Sequence, residues 1–368
     1  MNSNFYSIYK IRDSIDVYLY SDNILIFYFS NTRKYIEFKT SLNSIYLISL
    51  IDGNRTIENI YELYSKKNIY NKIKKNTILE VFDFLLYKNI IYCIDNVIFN
   101  EYYHRYDRQI SYLSEFLPVN NSINSIQDKI SKSSILIFGV GAVGGSIAIL
   151  LAMSGVQQFT LIDYKNISTS SSTRHTFYRN SYIGKSKVEC LKKEILKINK
   201  SAKINAIPMY LNYDTDISNY IKETDFVVNA ADYPYIGYTS MKISRESIKN
   251  GKLHYIAGGF DSHLASTGEL IIPGITPCAD CYKSYFDVAL KNWNPEKKNI
   301  EYSCNEMGGF SSQSLFSASF ACIQIIKSLC FIKDGILISR GELDFETYSI
   351  NYLNIERDKN CKVCGDIK

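Results

Sequence analysis

The sequence predicts an α/β protein in which a doubly wound, Rossmann-like parallel sheet follows a small α+β domain of the winged-helix type. Strand-like and helical apolar runs alternate from Glu101 onward, and this alternation is typical of a parallel sheet with crossover helices. The first of these strands leads into a glycine-rich stretch at residues 139–144. Nucleotide-binding sheets turn from strand to helix at such a stretch, so the second domain is predicted to bind a nucleotide.

The composition is that of a globular protein with two domains. The chain has 368 residues, of which 46% are hydrophobic and 21% are charged, and this length can bury two ordinary cores. The net charge of +5 at pH 7 is small for the length, so it does not indicate nucleic acid or a membrane surface as a partner. Residues 1–10 lack the apolar segment of a signal peptide, and the nine cysteines are an odd number. Both features favour a reducing, cytoplasmic location.

Residues 1–98 are predicted to form the first domain. Its predicted strands are residues 23–30, 34–39 and 90–94, with a hairpin turn at residues 31–33. Its predicted helices are residues 42–51, a second helix capped by Thr56, and a third that begins at Thr77 with Glu80 completing a capping box. Two strands, three helices and a final strand are typical of a winged helix. Residues 96–103 are the predicted linker.

Residues 99–368 are predicted to form the second domain. Its predicted strands are residues 135–138, 159–162 and 226–229, and its predicted helices are residues 146–153 and 187–198. The run from residue 135 to residue 153 is nearly apolar over the length of a membrane span, but four glycines interrupt it. A strand, a turn and a buried helix explain this run better than a helix in lipid does, so no membrane partner is expected.

Gly139, Gly141 and Gly144 shape the predicted phosphate site. Their missing side chains let the backbone approach a phosphate, and the helix that follows offers unpaired N–H groups to an anion. Asp163 ends the next predicted strand, where an acid commonly binds the ribose hydroxyls. These residues suit a nicotinamide-dependent dehydrogenase as well as an ATP-using enzyme, and a purely structural glycine turn is a third alternative.

Four further features separate these alternatives. They are Arg105-Tyr106-Asp107-Arg108-Gln109, Ser170-Ser171-Ser172-Thr173-Arg174-His175, Gly184-Lys185-Ser186-Lys187, and two Cys-x-x-Cys pairs. Together with Asn229-Ala230-Ala231-Asp232, they resemble the adenylation domain of ubiquitin-activating enzymes and their bacterial relatives, the ThiF, MoeB and HesA family. The resemblance covers about residues 103–365. It implies an enzyme that transfers AMP from ATP to a carboxylate.

The resemblance also implies roles for single residues. Those implied to be catalytic are Arg108, Arg174, Lys187 and Asp232. Those implied to bind ATP are Gly139, Gly141, Gly144, Asp163, Ser171, Arg174 and Lys187. The cations neutralise phosphate charge, and Asp232 holds Mg²⁺, a hard cation that prefers oxygen ligands. Arg108 corresponds to an arginine that reaches into the partner subunit's site, which implies a homodimer.

Three positions depart from the family pattern. Ser171 stands where the family usually has Asn, His175 where it has Gln, and Lys165 where many members have a second acid. The Ser171 hydroxyl is shorter than an amide, so it is expected to reach a nucleotide oxygen only through water. A lone histidine such as His175 more often packs or hydrogen-bonds than titrates. These departures bear on ATP affinity, not on the class of reaction.

The two Cys-x-x-Cys pairs predict a zinc site. Their four thiolates, from Cys278, Cys281, Cys361 and Cys364, are the ligand set of a closed tetrahedral Zn²⁺ site, and the resemblance implies that this zinc is structural. A redox pair is the alternative, disfavoured because neither pair is predicted to open a helix after a strand. Cys304 is a separate matter. Sulfur-carrier-activating relatives have a reactive cysteine near this position, whereas a free cysteine is commonly just a small apolar residue.

The first domain carries a second resemblance. Residues 47–57, Leu-Ile-Ser-Leu-Ile-Asp-Gly-Asn-Arg-Thr-Ile, are similar to the leader-peptide recognition domain of peptide-modifying systems, the family of the pyrroloquinoline-quinone chaperone. This similarity implies a precursor peptide that adds to the edge of the sheet and packs against a helix. A winged helix that only supports a dimer, or that binds nothing, is the alternative. The domain has no arginine-rich recognition helix, so nucleic acid is not an expected partner.

The two domains together predict ATP-dependent adenylation of the C-terminus of a ribosomally made peptide, as in the relatives that make microcin C. The stretch Ala231-Asp232-Tyr233-Pro234 resembles a segment of those relatives. One alternative is adenylation of a ubiquitin-like sulfur-carrier protein, with Cys304 as the acceptor. Another is a non-catalytic leader-binding partner of a cyclodehydratase. Such partners have degraded ATP sites, whereas this chain retains Arg108, Asp163, Arg174, Lys187 and Asp232.

Overall fold

The structure is a computed structural model. It describes residues 3–21, 23–67, 73–94, 101–116, 124–261, 263–289, 291, 308–330 and 340–367. The chain divides into two compact units, Met1–Gln127 and Asp128–Lys368. The predicted domain boundary between residues 98 and 99 falls outside the described residues and stays a prediction. The α/β architecture with a parallel sheet is confirmed.

The first unit contains two small antiparallel sheets and a set of helices. Its strands are β1 (Ile8–Ile11), β2 (Ile15–Ser21), β3 (Ile24–Phe29), β4 (Lys34–Lys39), β5 (Asp52–Thr56) and β6 (Ile91–Cys93). Its helices are α1 (Leu42–Ser49), α2 (Ile57–Lys67), α3 (Lys75–Tyr87), α4 (Glu101–His104) and α5 (Asp107–Ser114). The strand orders are β5-β1-β6 and β2-β3-β4. Helix α6 (Asn124–Lys132) continues from this unit into the second.

The local signals of the first unit are mostly confirmed. The predicted hairpin is β3 and β4, which pair antiparallel from Ile24↔Lys39 to Phe29↔Lys34. The three predicted helices are α1, α2 and α3. Thr56 caps α2, because its Oγ1 accepts the backbone N–H of Asn59 at 3.2 Å. The core beneath the helices contains Ile57, Ile60, Ile78 and Phe82, each fully buried.

Several predictions for the first unit are wrong. Strands β1, β2 and β5 were not predicted, and β5 (Asp-Gly-Asn-Arg-Thr) has few strand-forming residues. It becomes a strand because it pairs with β1, from Ile8↔Thr56 to Lys10↔Asp52, and that distant pairing leaves no local pattern. The predicted capping box of α3 is also wrong. This helix begins at Lys75, and its N-cap, Lys74, makes no side-chain capping hydrogen bond.

The second unit is built on a six-stranded sheet. Its strands are β7 (Ser134–Phe138), β8 (Gln158–Ile162), β9 (Lys203–Ile207), β10 (Phe226–Asn229), β11 (Leu253–Ile256) and β14 (Glu269–Ile271). The order is β14-β11-β10-β7-β8-β9. Every neighbouring pair is parallel except β11 and β14. The chain moves outward from β7 in both directions, so the carboxyl end of β7 is the switch point where such sheets bind ligands.

Helices and a smaller sheet complete the second unit. Its helices are α7 (Ala142–Met153), α8 (Lys187–Ile198), α9 (Ser218–Lys222), α10 (Ile236–Lys249), α11 (Ala279–Ala289) and α12 (Ser311–Leu329). The smaller sheet is ordered β12-β13-β15-β16, with strands β12 (Phe260–Asp261), β13 (Leu264–Ser266), β15 (Arg340–Asp344) and β16 (Ile350–Leu353). In the described part of the chain, no helix is both long and apolar enough to cross a membrane.

The predicted run from residue 135 to residue 153 is a strand, a turn and a buried helix, as expected. Strand β7 is buried along both faces, which is typical of the centre of a parallel sheet. Helix α7 packs against α8 and α12. It begins at Ala142, four residues before the predicted start, because the helix includes Gly144 and Gly145 despite the low helix propensity of glycine.

Candidate functional site

The glycine turn between β7 and α7 is held by close backbone contacts. Gly139 has a φ of +80°, and a Cβ there would meet the Ala230 carbonyl oxygen at 2.5 Å. A Cβ on Gly144 would meet the Gly139 carbonyl oxygen at 2.0 Å. Gly141 differs, because a Cβ there would point into open space, just before the free N–H groups of α7. The turn thus leaves room for an anion at the helix start.

Asp163 is tied to this turn by its carboxylate. Its Oδ2 accepts the backbone N–H of Val140 at 2.9 Å, and its Oδ1 accepts the backbone N–H of Lys165 at 2.8 Å. The side chain directly follows β8 and is half-buried. A carboxylate oxygen has two lone pairs, so each oxygen can still accept a hydroxyl hydrogen. The position fits the predicted ribose contact.

Lys187 and Arg174 supply positive charge near Asp163. Burial lowers the pKa of Lys187, and the nearby Asp163 carboxylate counteracts that shift. Lys165, Asp232 and Arg174 also act on the Lys187 charge, so each of these side chains lies within electrostatic range of Lys187. Lys187 is the first residue of α8. The structure therefore brings together two cations and two acids that the sequence predicted as site residues.

Asp232 follows β10 on a braced turn. Asn229, at the end of β10, is buried, and its Oδ1 accepts the Ala231 N–H at 3.1 Å. Thr239 donates from its Oγ1 to the Ala231 carbonyl at 2.6 Å. The Asp232 side chain is 82% exposed, so solvent reaches its carboxylate.

Lys165 is a member of this cluster that the predicted site omits. Its Nζ lies 3.8 Å from Asp232 Oδ1. Its backbone N–H binds Asp163, and its carbonyl accepts the Lys187 N–H at 3.1 Å. The sequence signal was present, since a basic residue stands two positions after Asp163, but only the fold shows what it contacts.

Ser171 lies in a short 3-10 turn (Thr169–Thr173) before Arg174, and His175 directly follows Arg174. The Ser171 hydroxyl accepts the Ser168 N–H at 3.2 Å and completes a capping box for that turn. His175 is buried against Phe177, with ring centroids 5.0 Å apart, and its Nδ1 has no hydrogen-bond partner. Burial, with the neighbouring charges of Lys187 and Arg174, lowers the pKa of His175 to about 3. The imidazole is therefore neutral at pH 7.

Three tyrosines border the acidic and basic cluster. Each follows a different strand of the sheet, Tyr164 after β8, Tyr210 after β9 and Tyr233 after β10. Their ring centroids are 4.8, 5.4 and 5.9 Å apart in the three pairs. Each side chain stays partly exposed. The carboxyl edge of the sheet thus offers aromatic surface beside the charged groups.

The four predicted zinc ligands converge in the second unit. The sulfur–sulfur distances are 3.8 Å for Cys278–Cys281, 3.7 Å for Cys278–Cys361 and 3.5 Å for Cys281–Cys364. A tetrahedron with Zn–S bonds of about 2.3 Å has edges of about 3.8 Å. All four sulfurs lie within 4.8 Å of one another. The cluster can hold a zinc ion with closed, structural geometry.

One reason given against a redox pair is wrong. Cys278 and Cys281 do lie at the start of a helix, α11, which follows β14. The sequence signal was weak because Pro277 and the preceding turn obscure where the helix begins. The convergence of a second pair on the same point favours metal binding over dithiol chemistry, which needs only two sulfurs.

Two further residues, Arg108 and Cys304, were given candidate roles by the sequence. Arg108 belongs to the other compact unit, in α5, where it lines an open cavity of about 400 Å³ together with Asp13, Asp107, Ser111, Tyr112 and Glu115. Its action on a partner subunit's site stays a prediction. Cys304 falls outside the described residues.

Known proteins resemble this chain in sequence. The pattern of the ThiF family matches residues 106–363. The heterocyst HesA protein of Trichormus variabilis is 24% identical over 265 residues, which are 71% of this chain and 88% of that protein. UBA4 of Debaryomyces hansenii, an adenylyltransferase and sulfurtransferase, is 31% identical over 192 residues. Those residues are 51% of this chain and 40% of UBA4.

Solved structures share the fold along the whole chain. E. coli MccB with succinimide has a TM-score of 0.73 at 21% identity, covering 100% of both chains. E. coli MccB with AMPCPP and MccA has a TM-score of 0.72 at 22% identity, covering 99% of this chain and 100% of the other. PaaA has a TM-score of 0.69 at 18% identity, covering 94% of this chain and 100% of the other. Because the sequence identities are this low, the structural similarity shows a common fold alone.

Proposed function

The chain belongs to the ThiF family, and we propose that this ATP-dependent adenylyltransferase activates the C-terminus of a ribosomally made peptide. The proposal rests on one observation. Four charged side chains cluster beside the glycine turn, namely Asp163, Lys187, Arg174 and Asp232. The cluster lies at the carboxyl ends of β7 and β10, where doubly wound sheets bind ligands.

The proposed reaction joins a peptide carboxylate to the α-phosphorus of ATP. One carboxylate oxygen forms a bond to that phosphorus, and the bond from the phosphorus to the bridging oxygen breaks, so pyrophosphate leaves with the electron pair. Charge on the phosphate oxygens rises as this happens, and cations placed beforehand lower the barrier. Lys187 and Arg174 are those cations in our proposal. The protein forms no covalent bond and supplies orientation and charge.

Asp163 and Asp232 would divide the remaining binding work. Asp163 accepts the ribose hydroxyls with the lone pairs that its two backbone contacts leave free. Asp232 would hold Mg²⁺, which supplies further charge neutralisation at the phosphates when it is bound. The exposure of this carboxylate, 82%, suits a cation that keeps part of its water shell. Ser171 would support the Arg174 turn through its cap.

The first unit would hold the peptide. Strand β4 is an edge of its sheet, and Phe38 of β4 contacts Phe84 of α3 with ring centroids 5.3 Å apart. Tyr35 is 60% exposed and Phe84 is 39% exposed. An open strand edge beside a partly exposed apolar helix is the surface that strand addition requires. The solved MccB structures that match the whole chain include one with MccA, and this likeness supports a similar substrate class.

Two further parts of the proposal concern assembly and zinc. A homodimer would let Arg108 act on the partner's nucleotide. Zinc at the four cysteines would join the C-terminal turn, with Cys361 and Cys364, to the start of α11. Neither part performs a chemical step in the proposed reaction.

Mass spectrometry tests the substrate class. The protein is incubated with MgATP and synthetic candidate peptides, encoded by small reading frames beside its gene, and each peptide is examined for added AMP. We expect one peptide to gain AMP and release pyrophosphate, and its form with a C-terminal amide in place of the carboxylate to gain none. If only a ubiquitin-like carrier protein gains AMP, the peptide proposal is wrong.

A sulfur-carrier substrate is the second candidate function, because UBA4, an adenylyltransferase and sulfurtransferase, is among the relatives. The substitution Cys304→Ala separates the two. A carrier-activating enzyme that uses this cysteine would still adenylate but would fail to pass the acyl group on. Peptide adenylation should be unchanged, with the same yield of AMP-modified peptide as the unsubstituted protein.

A further inference from the structure

Lys165 is connected to three residues of the proposed nucleotide site at once. Its backbone N–H donates to Asp163 Oδ1 at 2.8 Å, and its carbonyl accepts the N–H of Lys187 at 3.1 Å. Its ammonium lies 3.8 Å from Asp232 Oδ1. These two hydrogen bonds couple the Lys165 backbone to Asp163 and Lys187, the residues proposed to bind the ribose and the phosphates. They therefore fix the position from which the Lys165 side chain extends.

Two aromatic rings guide the Lys165 side chain. Its Nζ lies 5.8 Å from the ring centroid of Tyr164 and 5.7 Å from that of Tyr233. Both distances are within the range of cation–π attraction. Tyr210 contacts both rings and buttresses them. The rings limit the positions of a side chain that is otherwise costly to order, and the Lys165 side chain stays 42% exposed with its ammonium close to Asp232.

Another anion can easily replace Asp232 as the partner of the Lys165 ammonium. The side chains are 42% and 82% exposed, and exposed pairs contribute little to stability because water competes for both charges. A group with more negative charge than one carboxylate would attract the ammonium more strongly. A nucleoside triphosphate has several negative charges, and its proposed position is beside Lys187, within electrostatic range of Lys165.

We propose that Lys165 is a phosphate-binding residue that Asp232 holds until ATP arrives. The triphosphate then takes the ammonium from Asp232, and the freed carboxylate becomes available to a divalent cation. The exchange moves one ion-pair contact and breaks no covalent bond. This inference rests on the proposed function, because it assumes that the cluster at the end of β7 is the ATP site.

The exchange has two measurable consequences. First, ATP should bind without a divalent cation, because Lys165, Arg174 and Lys187 together supply three positive charges. Second, a divalent cation should bind the ATP-free protein weakly, because the Lys165 ammonium occupies the space beside Asp232. Removal of the ammonium should therefore weaken the first kind of binding and strengthen the second. A lysine that only forms the ion pair with Asp232 would affect the binding of the divalent cation but not the binding of metal-free ATP.

Calorimetry of ATP binding in EDTA tests the first consequence. We compare the unsubstituted protein with Lys165→Met, which keeps the aliphatic stem, and with Lys165→Arg, which keeps the charge. We expect Lys165→Met to raise the Kd for metal-free ATP at least about tenfold, equivalent to about 1.4 kcal/mol, and Lys165→Arg to restore most of that loss. The matched control is Lys185→Met, a lysine of the neighbouring loop that faces Tyr182.

Binding of Mn²⁺ to the ATP-free protein, followed by electron paramagnetic resonance, tests the second consequence. We expect Lys165→Met to bind Mn²⁺ several-fold more tightly than the unsubstituted protein, and Asp232→Asn to abolish the gain in the double variant. Thermal unfolding confirms that each variant folds. If Lys165→Met leaves either metal-free ATP binding or Mn²⁺ binding unchanged, the inference is wrong.

Different results would overturn the proposed function and the proposed role of Lys165. Adenylation of a peptide with no effect of Lys165→Met on either kind of binding overturns only the role of Lys165. Metal-free ATP binding that depends on Lys165, without adenylation of any peptide or carrier, supports the role of Lys165 and overturns the proposed function. Failure of the unsubstituted protein to bind ATP even with Mg²⁺ overturns both.

Discussion

At the residue scale, the site depends on charges that must be present before ATP binds. Lys187 lies in the field of Asp163 and Asp232, and Arg174 is within electrostatic range of Lys187. Such an arrangement needs little rearrangement when phosphate charge grows, and that is the main source of rate in phosphoryl and nucleotidyl transfer.

The first prediction concerns these two cations. Lys187→Ala and Arg174→Ala should each lower the rate of AMP transfer by about 10²–10³-fold, because each removes a charge next to the reacting phosphate. Lys193→Ala is the matched control, since Lys193 is an exposed residue of the same helix, α8. Single-turnover kinetics with saturating peptide measures the effect. An equal loss in the control would indicate damage to α8 rather than to the site.

The second prediction concerns pH and His175. Burial and the charges of Lys187 and Arg174 lower its pKa to about 3, so the folded protein resists protonation that the unfolded chain accepts near pH 6.5. Stability from this residue is complete above pH 6.5 and falls as the pH drops below it, by up to about 1.4 kcal/mol per pH unit. Urea unfolding at pH 7 and pH 5 should show a smaller loss for His175→Gln than for the unsubstituted protein. Equal losses would contradict the assignment.

Sequence patterns predicted the charged site residues better than their surroundings. Asp163 was predicted from its place after a strand, whereas Lys187 and Asp232 were predicted from the family resemblance of the segments that contain them. Lys165 and the unpaired Nδ1 of His175 escaped prediction because their roles depend on side-chain direction. The fold alone determines such contacts.

At the element scale, the turn between β7 and α7 combines two glycines with different duties. Gly144 is required for packing, since a Cβ would lie 2.0 Å from the Gly139 carbonyl oxygen. Gly141 faces open space, so the fold does not require its missing side chain, and in our proposal the ATP phosphates do.

The third prediction separates these duties. Gly144→Ala should lower the free energy of unfolding by about 1–3 kcal/mol, because the new methyl group forces the turn apart. Gly141→Ala should leave the free energy of unfolding nearly unchanged and should weaken ATP binding, because the methyl group fills phosphate space. Urea unfolding and calorimetry with MgATP measure the two effects. If Gly141→Ala lowered the free energy of unfolding and Gly144→Ala weakened only ATP binding, the two roles would be contradicted.

Elements with strong local patterns were predicted closely, and elements formed by distant pairing were not. Helix α8 begins and ends at the predicted residues, since Lys187–Ile198 has a regular apolar face. Strand β5 contains Asp, Gly and Asn and depends on its partner β1. Helix α7 was predicted too short because its first turn carries the glycines that the phosphate site needs.

At the scale of the whole molecule, the C-terminal turn joins the second unit through the four cysteines. Cys361 and Cys364 come from the end of the chain, and Cys278 and Cys281 from the start of α11. The spacing of the two pairs was enough to predict this junction. The strand β6 was predicted, but its pairing with β1, and the pairing of β1 with β5, left no signal in the sequence.

The fourth prediction concerns this junction. The purified protein should contain about one zinc per chain, measured by elemental analysis. Removal of zinc should lower the free energy of unfolding, by about 4 kcal/mol if free zinc had been a thousandfold above its Kd. Cys364→Ser should have a similar effect, and Cys190→Ser, a buried cysteine outside the cluster, should not change the zinc content. Full zinc content in Cys364→Ser would exclude the four-cysteine site.

Peptide-dependent exchange of labelled pyrophosphate into ATP tests the central claim most directly, because it reports the reversible transfer of AMP to the substrate. We expect exchange only when both the cognate peptide and MgATP are present, and we expect Asp232→Asn and Lys187→Ala to abolish it while the peptide remains bound. Exchange that proceeds without any peptide or carrier, or its absence with every candidate peptide and carrier, would contradict the account.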